Sequence, residues 1–281
     1  MAAKKRKKTK KRGVSLERVL GIVMAVLVAG VLIWLVGTSP WGRSLFRKLP
    51  GEIQRVFTGG PLVPIATGYG IDVSRYQETI DWSQVKTINY NIMTRRQGAE
   101  EKSAHAEIEF VFAKATEGAN YEDPQITYNR DGIRKAGLSY GAYHVLTFAD
   151  TTKQAKNFIR VAKLRKGDFV PVIDMETSML GGTFNAKVEK TLRGVANALE
   201  KRYGQKPIIY CPTILVTELR KKEWAKDYTL WIPHYSAITR PSGADFWQFS
   251  DKGTVDGIPG VVDLDCYYGD RSKLRGLILK K

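Results

Sequence analysis

Two cysteines and three histidines in 281 residues remove several chemistries from consideration. Cys211 and Cys266 fall in separate predicted strands, which makes neither a disulfide framework nor a zinc site. Buried free thiols are the default, and a pair forms only where the fold brings those strands together. His105, His144 and His234 lack ligand spacing, so neither metal nor cofactor is expected. Long apolar runs are also scarce, for only Val19 to Gly37 lacks charge over nineteen residues. No cysteine follows that run, which excludes the usual N-terminal bacterial lipid attachment. Acids are outnumbered, with 28 Asp and Glu against 45 Lys and Arg, a formal +17.

That excess is unevenly placed. Residues 1–18 hold nine Lys or Arg and one Glu, and residues 37–55 hold four and one, which leaves +6 for residues 56–281. A modestly basic globular region suits an anionic polymer without specifying nucleic acid. A nucleic-acid or membrane-surface protein, suggested by charge alone, predicts strong salt-dependent DNA binding by residues 67–281.

As a helix, Val19 to Gly37 spans about 28 Å and matches a bilayer core of about 30 Å. The run Lys4-Lys5-Arg6-Lys7-Lys8-Thr9-Lys10-Lys11-Arg12 before it sets the orientation. By the positive-inside rule the N-terminus is cytoplasmic and everything after Gly37 lies outside. A cleaved signal peptide shares this layout, but Gly37-Thr38-Ser39-Pro40 is a poor small-x-small cleavage site, so the reading is an uncleaved single-pass anchor. The chain then divides into a basic cytoplasmic tail (1–18), a transmembrane helix (19–37), a Pro- and Gly-containing stalk (38–66) and a globular region (67–281).

In the globular region short apolar runs alternate with helical patterns, the signature of β/α units and a parallel sheet. The predicted strands are Gly70–Ser74, Glu109–Lys114, Ser139–Val145, a run from Phe169 to Asp174, Pro207–Cys211, Thr229–Pro233, Asp245–Phe249 and Val261–Leu264. Helices are predicted at Tyr128–Ala136, Thr151–Leu164 and Asn185–Tyr203, with little helix after the fifth strand. Residues 88–106 are polar and aperiodic and read as a surface insertion, which either adds a surface contact or rims a cleft. Eight strands in about 215 residues fit one closed β/α barrel with an irregular second half.

The most informative stretch is Phe169-Val170-Pro171-Val172-Ile173-Asp174-Met175-Glu176, a buried strand that ends in two acids. Side chains alternate faces, so Asp174 and Glu176 point the same way with Cα atoms about 6.6 Å apart. Two acids on one face beyond an apolar strand are costly unless one is protonated or both are used. Cleavage of a glycosidic bond uses such a pair, one acid held protonated and one ionised. A helix cap or a Lys or Arg partner is the bland account of the same residues. In barrels of this kind the chemistry sits at the strand C-terminal ends. Those ends carry Asp72, Lys114, Tyr143 with His144, Asp174 with Glu176, Tyr210, Trp231 with His234, Trp247 with Gln248, and Asp263. Acids beside flat aromatic faces suit sugar rings.

Six short motifs in order carry a family resemblance: Gly70-Ile71-Asp72-Val73-Ser74 with Asp81-Trp82, Ala113-Lys114-Ala115-Thr116-Glu117-Gly118, Tyr140-Gly141-Ala142-Tyr143-His144, Val172-Ile173-Asp174-Met175-Glu176, Phe246-Trp247-Gln248-Phe249 and Val262-Asp263-Leu264-Asp265. Over Gly68 to Gly276 the chain resembles the glycoside hydrolase family 25 lysozymes, the Chalaropsis-type muramidases. The resemblance implies a modified, TIM-like β/α barrel that hydrolyses the β-1,4 bond between N-acetylmuramic acid and N-acetylglucosamine in peptidoglycan; the chain is expected to need no cofactor and to be a monomer. It implies Glu176 as general acid and base, and Asp174 as the group that steadies the substrate's own acetamido as it attacks the sugar carbon. Asp72 and Asp263 complete the acidic floor, Tyr143 lies near the acetamido, and His144, Tyr210, Trp231, Trp247 and Gln248 wall the subsites. The acid spacing fits substrate-assisted retention and also leaves room for a water and inversion. Chitinase-like enzymes share the acid pair but carry a further Asp where this chain has Val172. The alternative from another class is a cell-wall-binding protein on the same barrel that has lost turnover, and its mark is a missing acid.

Overall fold

A computed structural model describes residues 66–91, 103–235 and 240–281. The predicted tail, membrane span and all but the last residue of the stalk lie outside the described residues, as do residues 92–102 of the predicted insertion. Among the described residues no helix is long and apolar enough to cross a membrane.

In chain order the elements are β1 (Gly68–Val73), β2 (Thr87–Asn91), β3 (Ser103–Glu117), β4 (Tyr121–Glu122), α1 (Ile126–Lys135), β5 (Ser139–Val145), α2 (Thr151–Ala162), β6 (Val172–Asp174), α3 (Thr177–Leu180), α4 (Ala186–Tyr203), β7 (Ile208–Tyr210), α5 (Thr213–Arg220), β8 (Leu230–Pro233), β9 (Phe246–Val255), β10 (Val262–Tyr267) and α6 (Arg271–Gly276). Parallel pairing runs from β1 through β3, β5, β6, β7 and β8 to β9. β10 lies antiparallel between β9 and β1 and closes the ring. The eight barrel strands are the eight that the sequence signals, and α1, α2 and α4 fall on its three predicted helices.

The interior explains why the barrel closes. Inward positions at its base hold Phe110, Phe112 and Phe246, whose rings meet one another edge to face or tilted at 5.3–5.5 Å between centroids. Phe169 and Trp231 extend this plug, and all five are buried. Each buried aromatic contributes about 1.5–3 kcal/mol relative to exposure. Space for the two rings of β3 comes from one glycine on each flanking strand, β1 and β5. A Cβ on Gly70 would lie 2.3 Å from the Phe110 ring, and one on Gly141 would lie 2.3 Å from the Phe112 ring.

Two differences from the sequence reading have physical causes. β3 begins at Ser103 rather than Glu109 because its first residues pair antiparallel with β2, from Asn91 opposite Ser103 to Thr87 opposite Glu107. The ends of the predicted insertion are therefore sheet, rooted at the N-terminal end of β3. The second half holds more helix than predicted, namely α5 and α6. α5 opens Thr213-Ile214-Leu215-Val216-Thr217, a β-branched run with weak helical preference that packing overrides. As expected, Cys211, just after β7, and Cys266, in β10, are buried and form no disulfide, lying three strands apart around the wall.

Candidate active site

Above the aromatic plug, the same inward positions turn polar. β1 delivers Asp72, β3 Lys114, β5 Tyr143, β6 Asp174, β7 Tyr210, β8 Trp231, β9 Gln248 and β10 Asp263, and all line one open cleft of about 1210 Å³. Glu176 joins them from the N-cap of α3, with extended backbone that carries the alternation of β6 two residues further. Asp174 is buried at the floor while Glu176 is exposed at the lip, so the two carboxyls have different surroundings. The Ser178 hydroxyl donates to Glu176 Oε2 at 3.2 Å.

The floor is an acidic cluster short of donors. Gln248 Nε2 donates to Asp72 Oδ2 at 2.6 Å, and Gln248 Oε1 accepts the hydroxyls of Tyr210 at 3.0 Å and Tyr235 at 2.8 Å. Burial above all pushes the Asp72 carboxyl well above the usual range. Asp263 and Asp265 push it further, and the Gln248 donor opposes them. Asp174 is raised by burial and then by Glu176, with Lys114 opposing. Its buried Oδ1 has no hydrogen-bond partner among the described residues. Burial followed by Asp251 raises Asp263 to about 6. Burial also raises Tyr143 and Tyr210, which keeps both phenols neutral donors.

Two predicted wall residues face elsewhere. His144 neighbours the inward Tyr143 and so points out of the barrel toward α2, where it is fully buried between Thr116 Oγ1 (2.7 Å from Nδ1) and Gln154 Oε1 (3.1 Å from Nε2). Burial lowers its pKa to about 4. Trp247 neighbours the inward Gln248 and likewise points outward, donating from Nε1 to the His234 carbonyl at 2.9 Å and packing on Phe249 and Tyr268. The alternation rule that placed Asp174 and Glu176 together excludes both.

The sequence reading passed over Asp265 as a site residue, although it lies two residues beyond Asp263 and shares its face. It is fully buried, accepts from Trp231 Nε1 at 2.8 Å, and sits in hydrogen-bonding reach of Asp72. Its Oδ2 receives no ordinary donor. Tyr76, on a single 3-10 turn (Arg75–Gln77), and Tyr235, on the loop after β8, add exposed aromatic faces at the rim without a periodic signal. Lys114 donates to Glu117 at 2.8 Å inside the mouth. Among the described residues no group of three His, Cys, Asp or Glu is disposed to hold a metal ion.

This arrangement offers a proton donor and acceptor at the lip, a buried carboxyl beneath it, and aromatic walls around both, the set that acid-catalysed glycoside cleavage uses. The family model of the glycosyl hydrolases family 25 matches residues 71–258. The protein YegX of Escherichia coli O6:H1 is 34% identical over 218 residues, covering 75% of this chain and 74% of YegX. Lysozyme M1 of Streptomyces globisporus is 30% identical over 224 residues, covering 74% of this chain and 70% of that enzyme. A family 25 glycosyl hydrolase structure from Bacillus anthracis superposes with a TM-score of 0.58 at 26% identity, over 76% of this chain and 94% of that one. With its fold and two thirds of its length matched, the chain belongs to the glycosyl hydrolases of family 25.

Proposed function

We propose that the chain is a membrane-tethered muramidase that hydrolyses the β-1,4 bond between N-acetylmuramic acid and N-acetylglucosamine in peptidoglycan. The observation that carries this reading is the contrast between the two acids of one strand end. Glu176 stands exposed at the lip, able to give a proton to the glycosidic oxygen and to take one back from water. Asp174 lies buried below with a carboxyl oxygen that no described residue occupies, the acceptor that a substrate acetamido N–H needs. Held there, the acetamido oxygen attacks the sugar carbon as the leaving oxygen departs with the proton from Glu176. Water then opens the cyclic intermediate as Glu176 takes its proton. Asp263, raised only to about 6, is the floor acid that carries negative charge near neutral pH beneath the developing positive charge, and Asp72 lies beside it. Tyr143 supplies a neutral donor, Tyr210 spends its hydroxyl on Gln248, and Trp231 supplies a flat face.

All four acids line the same cleft, which favours turnover over mere wall binding. The name of Lysozyme M1, a relative at 30% identity, supports the substrate class. The tether rests on the apolar run 19–37 behind its basic tail, which places the barrel outside the cytoplasmic membrane.

The test is Glu176→Gln. Release of new reducing ends from purified murein is expected to fall to background while the fold is kept, with muramic acid as the new end in the wild type. Unchanged turnover in that variant rejects the role given to Glu176.

A further inference from the structure

At the end of the barrel opposite the mouth, three separated segments are sewn into one surface. The loop after α2 is tied to the C-terminal tail by Gly167 N to Leu279 O at 3.1 Å and Leu279 N to Asp168 O at 2.8 Å. The loop after α4 is tied to the same tail by Gln205, whose Nε2 donates to Gly276 O at 3.0 Å and whose Oε1 accepts from Lys280 N at 3.2 Å. These segments are Lys163-Leu164-Arg165-Lys166, Lys201 to Lys206, and Arg271 to Lys281. Together they hold eleven Lys or Arg and no acid. Arg271 pairs with Glu109 and Lys206 with Asp227, and among the described residues the other nine are in no ion pair and are exposed. Helix dipoles account for the basic residues in the last turns of α4 and α6. They do not reach Arg165, Lys166, Lys280 and Lys281, which lie beyond any helix end.

The chain enters the barrel on this same face. Thr67 donates from N to Tyr267 O at 2.8 Å and from Oγ1 to Gly269 O at 2.6 Å, next to the basic tail. Among the described residues no such basic cluster is found at the far end, where Asp72, Asp174, Glu176 and Asp263 line the cleft.

We propose that this basic base docks on anionic phospholipid headgroups, so that the cleft faces away from the membrane toward the wall. The inference rests on the tethered reading above. The 28 residues between Gly37 and Ala66 span at most about 100 Å even at full extension, so a tether of that length keeps the base near the bilayer. Clustered basic residues beside a span gain from a negative leaflet within about a Debye length.

The experiment uses the full chain in nanodiscs of phosphatidylcholine alone or with about one third phosphatidylglycerol. Backbone hydrogen exchange is read at 163–168 and 271–281, with α5 at the mouth as the reference. The expected result is exchange about fivefold slower at the base in the anionic discs, unchanged at α5, and reversed by about 0.5 M salt. A variant carrying Arg165→Glu, Lys166→Glu, Lys280→Glu and Lys281→Glu loses the protection and keeps wild-type murein hydrolysis in detergent. Equal exchange in both lipids, protection at α5, or undiminished protection in the variant overturns the proposal. Loss of the protein from discs after a high-salt wash refutes the tether instead. Docking is then decided by low-salt binding of wild type and variant to anionic vesicles, where equal binding overturns it and weaker binding by the variant upholds it.

Discussion

The Gln248 side chain donates from Nε2 to Oδ2 of Asp72 across 2.6 Å. Both hydroxyls that reach its Oε1, from Tyr210 and Tyr235, fix the amide so that it can only donate toward the acid. One side chain thus ties β9, β7 and the β8 exit to the floor carboxyl on β1. Gln248→Leu is expected to lower kcat/KM about tenfold to a hundredfold, the range found when a supporting partner is lost. Gln248→Glu is expected to do more damage, because it replaces the donor by another carboxyl in an already crowded cluster. Rates on murein from pH 4 to 8 check both, and a Gln248→Leu enzyme at wild-type rate removes the amide from the machinery.

Asp265 adds a second prediction. Its carboxyl is raised well above the usual range by burial and then by Asp263, and it reaches Asp72 only through a shared proton. The folded protein therefore binds protons that the unfolded chain has released above about 3.8. This contribution to stability falls as pH rises from that value through the folded pKa. Asp265→Asn removes an acid and adds an amide donor toward Asp72. Its melting temperature is expected to rise above wild type at pH 7 by a few degrees, about 2–4 °C per kcal/mol for a domain of this size, and to match wild type near pH 3.5. Melting curves at the two pH values decide it.

His144 gives pH dependence of the opposite sign. Its folded pKa is lowered by burial from 6.5 to about 4, so the unfolded chain binds the proton first. The stability of the neutral buried ring is complete above pH 6.5 and is lost as pH falls toward 4, by on the order of 3 kcal/mol. His144→Gln keeps a polar bridge between Thr116 and Gln154. It is expected to be somewhat less stable at pH 7 and to lose the decline between pH 6.5 and 4, while murein turnover stays within about twofold because the ring lies outside the cleft. Urea midpoints across that range test the linkage.

The barrel was legible because its strands are short apolar runs that each end in a polar residue, as in Val172-Ile173-Asp174. The four predicted acids and Tyr143, Tyr210, Trp231 and Gln248 lie where those ends converge. His144 and Trp247 went astray because a motif names neighbours on both faces, and only the two-residue period separates Tyr143 from His144. Asp265 was missed although the same period puts it beside Asp263. Tyr76 lies on a single 3-10 turn and Tyr235 on a loop, segments too short for a periodic pattern, and their placement depends on tertiary contacts. α5 was hidden by its own β-branched opening.

The two interior glycines give a last test, because their neighbours differ. A Cβ on Gly141 meets the Phe112 ring at 2.3 and 2.6 Å and Phe169 Cβ at 3.2 Å, all side-chain atoms. A Cβ on Gly70 meets the Phe110 ring at 2.3 and 2.4 Å and also the Phe110 carbonyl oxygen at 2.5 Å. Gly141→Ala and Gly70→Ala should each lose about 1–3 kcal/mol or more by overpacking. Trimming the ring should help only where the ring is the whole obstacle. Phe112→Leu is therefore expected to recover a large part of the Gly141→Ala loss, while Phe110→Leu recovers little of the Gly70→Ala loss because a strand backbone still stands in the way. Double-mutant cycles from urea unfolding measure the two coupling energies, and equal recovery at both positions would reject the account of how β1 and β3 approach.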